Sequence, residues 1–280
     1  MNLADRFILS PAPVHDDGPS HVARVIDEAD NIRDTQEEHL YELFHEQTKV
    51  YAYNFRRHHD ALSASDHAIA HYHSAKDFDG FPWVALPGPT QAELEAANEP
   101  KSVSTRHEKS FGMHALSVCL SAIRSEIASE QSQNQLLDYH TQYTPGTTDP
   151  VDVYIFALTC AGLDPGCYYY HPPSHRLYNI SYGNMSEKLT QAGITRRVIT
   201  QSVAIVAFVG AFGRSTRHFG ERGYRYILLE TGMAAERLCY VAKGYGIDVR
   251  GVPVFVDDLM NDLVQINGVD EAVLFCVDLH

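Results

Sequence analysis

The chain contains no uninterrupted apolar run of the ~18 residues that a membrane-crossing helix needs. Its N-terminus, Met1-Asn-Leu-Ala-Asp-Arg6, lacks a basic stretch followed by an apolar one, so no secretory signal is read there and a cytoplasmic location is expected. Cysteine is sparse and scattered: Cys119, Cys160, Cys167, Cys239 and Cys276 are odd in number and include no Cys-x-x-Cys pair. That pattern argues against a disulfide framework and a zinc ribbon, and predicts reduced thiols lying mostly in the core. Positive charge is also short. With 22 Lys and Arg against 36 Asp and Glu, the formal charge is −14, which repels nucleic acid and anionic lipid, although a local basic patch can still hold a phosphate. Neither nucleic acid nor membrane is expected as a partner. There is no internal repeat and no low-complexity tract.

What is present is a chain of 280 residues, 44% hydrophobic, with enough apolar material for one large core or two modest ones. Val22, Val25, Ile26, Ala29 and Ile32 recur at helical spacing. Thr35 with Glu38 fits a capping box that opens a second helix through Leu40, Leu43 and Phe44. From Phe81 to Pro100 the chain turns Pro-rich, which predicts an extended connector or domain boundary. Beyond it, Leu116, Leu120, Ile123 and Ile127 mark one face of a helix, and Val151–Thr159 reads as a mostly buried strand. Gly166–Tyr170 and Arg176–Ile180 predict a hairpin turning at Pro172–His175, its three tyrosines giving one buried and one exposed aromatic face. A strand over Ser202–Phe212, a helix over Gly223–Lys243 capped by Gly244, a short Val-rich segment, a helix near Asp257–Ile266 and a strand Ala272–Val277 complete the order. Helices and strands do not alternate regularly, so the expected class is α+β, in layers.

The densest chemistry lies in His218-Phe-Gly-Glu-Arg-Gly-Tyr-Arg-Tyr226, where Arg222, Tyr224 and Arg225 stand at the mouth of a helix that looks too apolar to lie on a surface. Histidine can serve as a base near neutral pH. Arg222 and Arg225 can equally cap carbonyls or pair with Glu230, a structural role that stands beside the catalytic one. The chain also carries 16 histidines, with His67 and His71 at i, i+4, His73 close by, and His58 and His59 ahead of Asp60. No His-Glu-x-x-His pattern accompanies them, a polar helix face explains segment 58–73 as well, and no metal is expected.

A run of motifs in fixed order carries a resemblance: Phe44-His-Glu-Gln-Thr-Lys49, Phe81-Pro-Trp-Val-Ala-Leu-Pro87, Arg106-His-Glu-Lys-Ser-Phe111, Thr144–Tyr154, Gly162–His171, the segment from His218, and Gly251 with Phe255 and Asp257. Together, over roughly residues 35–278, they resemble the SagB-type azoline (thiazole/oxazole) dehydrogenase branch of the nitroreductase superfamily. The resemblance implies a nitroreductase-like layered α+β fold with a mixed or antiparallel sheet flanked by helices. Residues 1–100 would form a helical N-terminal extension and Pro-rich connector, and 101–280 the nitroreductase-like domain. It further implies an oxidoreductase of natural-product biosynthesis: a homodimer with FMN held near each subunit interface by residues of both chains, oxidising an azoline in a modified peptide beside a cyclodehydratase partner.

Carried over residue by residue, the phosphate of FMN would meet Arg106, His107 and Lys109, the last two standing where the family has Ser and Arg. Thr144 and Gly146 would approach the flavin ring, and Gly251 would belong to the same site. His218 and Phe219 occupy the positions of the family's proton-handling Lys and Tyr. His218 becomes the candidate base, Tyr224 and Arg222 the groups that orient substrate, and Phe219 can move no proton. Tyr143, Pro145 and Asp149 depart from the ring-contact motif, and Glu236 replaces an amide. These departures keep two further readings open: a flavin-free member acting in redox-neutral chemistry or as a binding partner in a biosynthetic complex, and a nitroaromatic or quinone reductase using NAD(P)H.

Overall fold

The computed structural model describes residues 40–49, 75–93, 111–124 and 150–280, with the backbone alone for Glu42 and His218. The helical pattern before Leu40, the capping box at Thr35, segment 58–73, the motif at Arg106–Lys109, Ile127 and the motif at Thr144–Asp149 lie outside the described residues. The chain divides into two compact units, Met1–Thr48 and Lys49–His280. The described part of the first is helix α1 (Leu40–Gln47), closed by Thr48, whose Oγ1 donates to the Phe44 carbonyl at 2.6 Å.

The second unit is built on one seven-stranded sheet in the order β1-β4-β3-β2-β5-β7-β6, with every strand pair antiparallel. The Pro-rich segment supplies its edge, β1 (Trp83–Ala85), which pairs with β4 (Arg176–Tyr182). Pro82 and Pro87 flank that short strand and limit further strand addition at the edge. β2 (Val151–Ala157) and β5 (Ala204–Ala211) run through the middle, buried at every position. β3 (Gly166–His171) turns into β4 through a 3-10 turn at Pro172–Ser174, as the hairpin reading has it, and His175 takes the left-handed conformation there (φ 50°). β6 (Val249–Val252) and β7 (Glu271–Leu279) complete the sheet.

Both faces of the sheet are covered. On one, Val153, Ile155, Val206, Phe208 and Val277 pack with α2 (Met113–Arg124) and the long α6 (Arg222–Gly244). On the other, Phe156, Tyr169, Ile205 and Cys276 pack with the short helices α3 (Ser186–Gln191), α4 (Arg196–Gln201) and α7 (Asp257–Leu263). This two-sided cover corrects the tyrosine reading: Tyr168, Tyr169 and Tyr170 are all buried, because the face expected to meet water meets a second helical layer instead. α6 corrects a second expectation. It buries Ile227, Ala235, Leu238 and Val241, while Leu228, Leu229, Met233 and Tyr240 are exposed along its other side. The inner side sits hard on the sheet at Gly210, where a Cβ would come within 2.6 Å of Leu274 and 2.8 Å of Ile227. All five cysteines are free, four buried and Cys239 half-buried, as the spacing predicted. Burial raises the thiols of Cys119, Cys167 and Cys276 well above their ordinary range and that of Cys160 to about 11, so none is a poised nucleophile. No described helix is long and apolar enough to cross a membrane.

Candidate active site at the α5–α6 corner

Helix α5 (Phe212–Phe219) starts directly where β5 ends, with Ala211 in the extended region and no side-chain cap; the Phe212 N–H donates instead to the Asp270 carbonyl at 3.0 Å. It stops at Gly220, whose φ of +59° and ψ of −149° admit little besides glycine. The chain then reverses into α6. At Gly223 a Cβ would lie 2.8 Å from backbone atoms of Ser215 and Thr216, so the two helices touch backbone to backbone.

Aromatic and cationic groups dress this corner. Phe212 and Tyr224 meet with ring centroids 5.5 Å apart, Tyr224 staying 36% exposed. Phe219 is buried and packs edge-on to Tyr226 at 5.1 Å and 89°. Arg222 Nε donates to Tyr226 Oη at 2.9 Å, its guanidinium 5.5 Å from that ring's centroid. A guanidinium has no acceptor, so this bond leaves the phenolic hydrogen of Tyr226 for another partner.

Beneath the corner, at the end of the sheet where β2 and β7 begin, lies a buried charge cluster. Asp152 is 1% exposed and receives both Arg214 nitrogens, Nη1 to Oδ1 and Nη2 to Oδ2, each at 2.9 Å. The Tyr169 hydroxyl donates to Oδ1 at 3.3 Å, and Lys76 Nζ stands 3.8 Å from Oδ2. Lys76 in turn donates to Glu271 at 2.5 Å and to the Tyr154 hydroxyl at 2.9 Å. Two cations thus face two carboxylates. Burial alone would lower the affinity of Arg214 for its proton, but the charge and hydrogen bonds of Asp152 outweigh it and the guanidinium is held more firmly protonated than usual. The Tyr154 phenol is pushed far up, first by burial and then by the two carboxylates.

The residues singled out from sequence fall into three groups. His218 stands on the last turn of α5, and Arg222 and Tyr224 on the first turn of α6. Gly251 lies on β6 opposite Val277 of β7, and its missing side chain leaves room for Phe275, whose Cζ would be 2.9 Å from a Cβ. Val277 is six residues along β7 from Glu271, roughly 20 Å at strand rise, so within one chain Gly251 is not at the corner. Arg106, His107, Lys109, Thr144 and Gly146 lie outside the described residues. Sequence reasoning missed Tyr226, Asp152, Arg214, Lys76 and Glu271. One signal was available: Asp152 is the single charged residue in the apolar run Val151–Ala157, and a lone carboxylate in a central strand needs a buried cation.

Comparison with known proteins places this geometry in a family context. No protein-family model matches the chain. A candidate nitroreductase of Methanocaldococcus jannaschii is 25% identical over 128 residues, 46% of this chain and 65% of that protein. Among solved structures, a candidate nitroreductase of Anabaena variabilis ATCC 29413 aligns with a TM-score of 0.53 at 20% identity over 76% of this chain, which spans only 46% of the Anabaena chain. One from Ralstonia eutropha JMP134 aligns at 0.50 and 17% identity, covering 70% of this chain and 88% of that one. A chain of the Escherichia coli microcin synthetase complex, solved with truncated pro-MccB17 bound, aligns at 0.51 and 17% identity over 91% of both chains. The antiparallel seven-stranded sheet between two helical layers is therefore the nitroreductase fold, with the candidate site where α5, following β5, meets α6, the longest of the described helices.

Proposed function

We propose that the protein is an FMN-dependent dehydrogenase that oxidises an azoline, or a related heterocycle, in a modified peptide or small molecule of a natural-product pathway. The observation that carries this reading is the extent of the microcin synthetase match. It runs over 91% of both chains, whereas the Anabaena and Ralstonia proteins cover 76% and 70% of this one. A match of that extent supports including the motifs that precede residue 101 in the reading, and an assembly partner such as a cyclodehydratase becomes part of the proposal. Residues 101–280 carry the flavin chemistry in this reading, with the sheet taking its edge strand from the connector.

The α5–α6 corner supports the flavin part of this reading by its surface chemistry. An isoalloxazine presents broad apolar faces with an electron-rich edge, and the corner offers half-exposed aromatic and apolar surface beside the Arg222 cation. Arg106, His107 and Lys109 would hold the phosphate, and Thr144 and Gly146 the ring. We assign Gly251 to the site formed with a second subunit, and homodimerisation to the exposed side of α6. Leu228, Leu229, Met233 and Tyr240 there form an apolar stripe interrupted by Gly232, where a neighbouring helix can approach closely.

Aromatising an azoline removes a hydride and a proton, and bound FMN supplies the hydride acceptor. His218 takes the ring proton, and Arg222 and Tyr224 orient the heterocycle. Purified protein should be yellow, and His218→Ala should keep flavin while losing turnover; unchanged turnover would remove His218 from the reaction. A second reading, a flavin-free binding or redox-neutral member, is favoured by one observation: Phe219 is turned into the core against Tyr226 and offers no hydroxyl. Protein that is colourless and fails to take up FMN would select it.

A further inference from the structure

A buried ion pair is weak evidence of stabilisation, because well-packed apolar groups of the same volume often serve as well, while removal of one partner is costly. What a bidentate arginine–carboxylate pair supplies is geometry, since its two parallel bonds fix separation and rotation together. Arg214 is the third residue of α5, and His218 follows one helical turn later on the same face. With eight residues and no side-chain cap, α5 cannot hold its own position and depends on anchors. Several are visible: the Phe212 N–H bond to the Asp270 carbonyl, the backbone contact at Gly223, the packing of buried Phe219 on Tyr226, and the fork from Arg214 to Asp152, the one that ties a side chain of the helix to the central strand through two parallel bonds. The Asp152 end of that fork is itself immobile. Asp152 lies in the central strand opposite Val209, held by Tyr169 and Lys76, and Lys76 is clamped by Glu271 and Tyr154.

We propose that Asp152 and Arg214 are positioning residues for His218: the buried fork sets the rotation of α5 about its axis and so the angle at which the His218 Cα–Cβ bond leaves the helix. This rests on the reading of His218 as the base, and the test separates the two ideas. Asp152→Leu combined with Arg214→Met replaces the pair by apolar groups, and Arg214→Lys keeps the charge while losing the fork. The measurements are thermal unfolding, the imidazole NMR cross-peak of His218 identified by its loss in His218→Gln, and kcat against KM with an azoline-containing peptide. The double variant is expected to unfold close to the wild-type temperature with the His218 cross-peak displaced and kcat reduced about a hundredfold at unchanged KM. Arg214→Lys should fall between the two. A His218 cross-peak that coincides with wild type in a folded double variant overturns the proposal. Should the double variant not fold, the same cross-peak in Arg214→Lys decides. A protein without flavin or turnover would remove the dehydrogenase reading, and the cross-peak would still accept or reject the positioning role.

Discussion

Two aspartates are buried at opposite ends of the same sheet, and the chain treats them differently. Asp152, at the start of β2, is enclosed by a bidentate arginine, a lysine and a tyrosine hydroxyl. Asp278, near the end of β7 and fully buried, has one short bond from Ser202 at 2.5 Å. Arg250 stands off at 4.0 Å, and His280 Nδ1 at 3.2 Å makes no well-aligned hydrogen bond to its second oxygen. A buried carboxylate has to be compensated at both ends. Only at the β2 end is the compensation geometrically exacting, and only there does it lead through a helix to the candidate base. The difference separates a carboxylate that fixes a helix from one that closes a sheet.

That contrast can be broken by experiment. The largest expected effect is at Asp152→Asn, which leaves Arg214 and Lys76 facing a single carboxylate and should cost about 3 kcal/mol in urea unfolding. Gly223→Ala should cost roughly 2 kcal/mol, because the new methyl meets backbone at 2.8 Å and must push α5 from α6. Asp278→Asn keeps an acceptor for Ser202 and should cost about 1 kcal/mol. If Asp278→Asn proved more damaging than Asp152→Asn, the contrast would be wrong.

A smaller, pH-dependent effect belongs to neither aspartate and serves as a reference. His175 joins three segments: Nε2 lies 2.7 Å from Ser117 Oγ, Nδ1 lies 3.0 Å from Tyr170 Oη, and Ser117 itself donates to the Pro87 carbonyl. With the Ser117 hydrogen committed to Pro87, Nε2 carries the ring proton and Nδ1 accepts from Tyr170. Burial lowers the proton affinity of this imidazole. The unfolded chain therefore binds the proton more readily, and stability falls as pH drops below about 6.5 toward the lowered folded value. His175→Gln should lose that part of the pH dependence, read as urea midpoints of the two proteins between pH 5 and pH 7.5. Parallel midpoint curves would show that His175 carries no such coupling.

The fold was legible wherever hydrophobic pattern alone decides it. β2, the β3–β4 hairpin, β5, α6 and β7 all follow from apolar runs and turn residues, because burial is what holds them. The exposed side of α6 and the burial of all three tyrosines were not legible, since each depends on which layers cover the sheet. Those layers include α3 and α4, short helices whose patterns are weak. At the site, the corner of His218, Arg222 and Tyr224 could be read from one contiguous segment. The cluster of Asp152, Arg214, Lys76 and Glu271 could not, because its members are separated by up to 195 residues in sequence and meet only when the strands pair. Phe219 shows the limit in another way: its identity marked a lost hydroxyl, and only the structure reveals that its ring serves as packing against Tyr226.

The most direct test of the account is the visible absorption spectrum of the purified protein, followed by titration with FMN. An azoline dehydrogenase should show the blue-light bands of oxidised flavin at about one FMN per chain, bleaching when an azoline peptide is added without oxygen. Colourless protein whose FMN titration shows no binding would contradict the dehydrogenase reading.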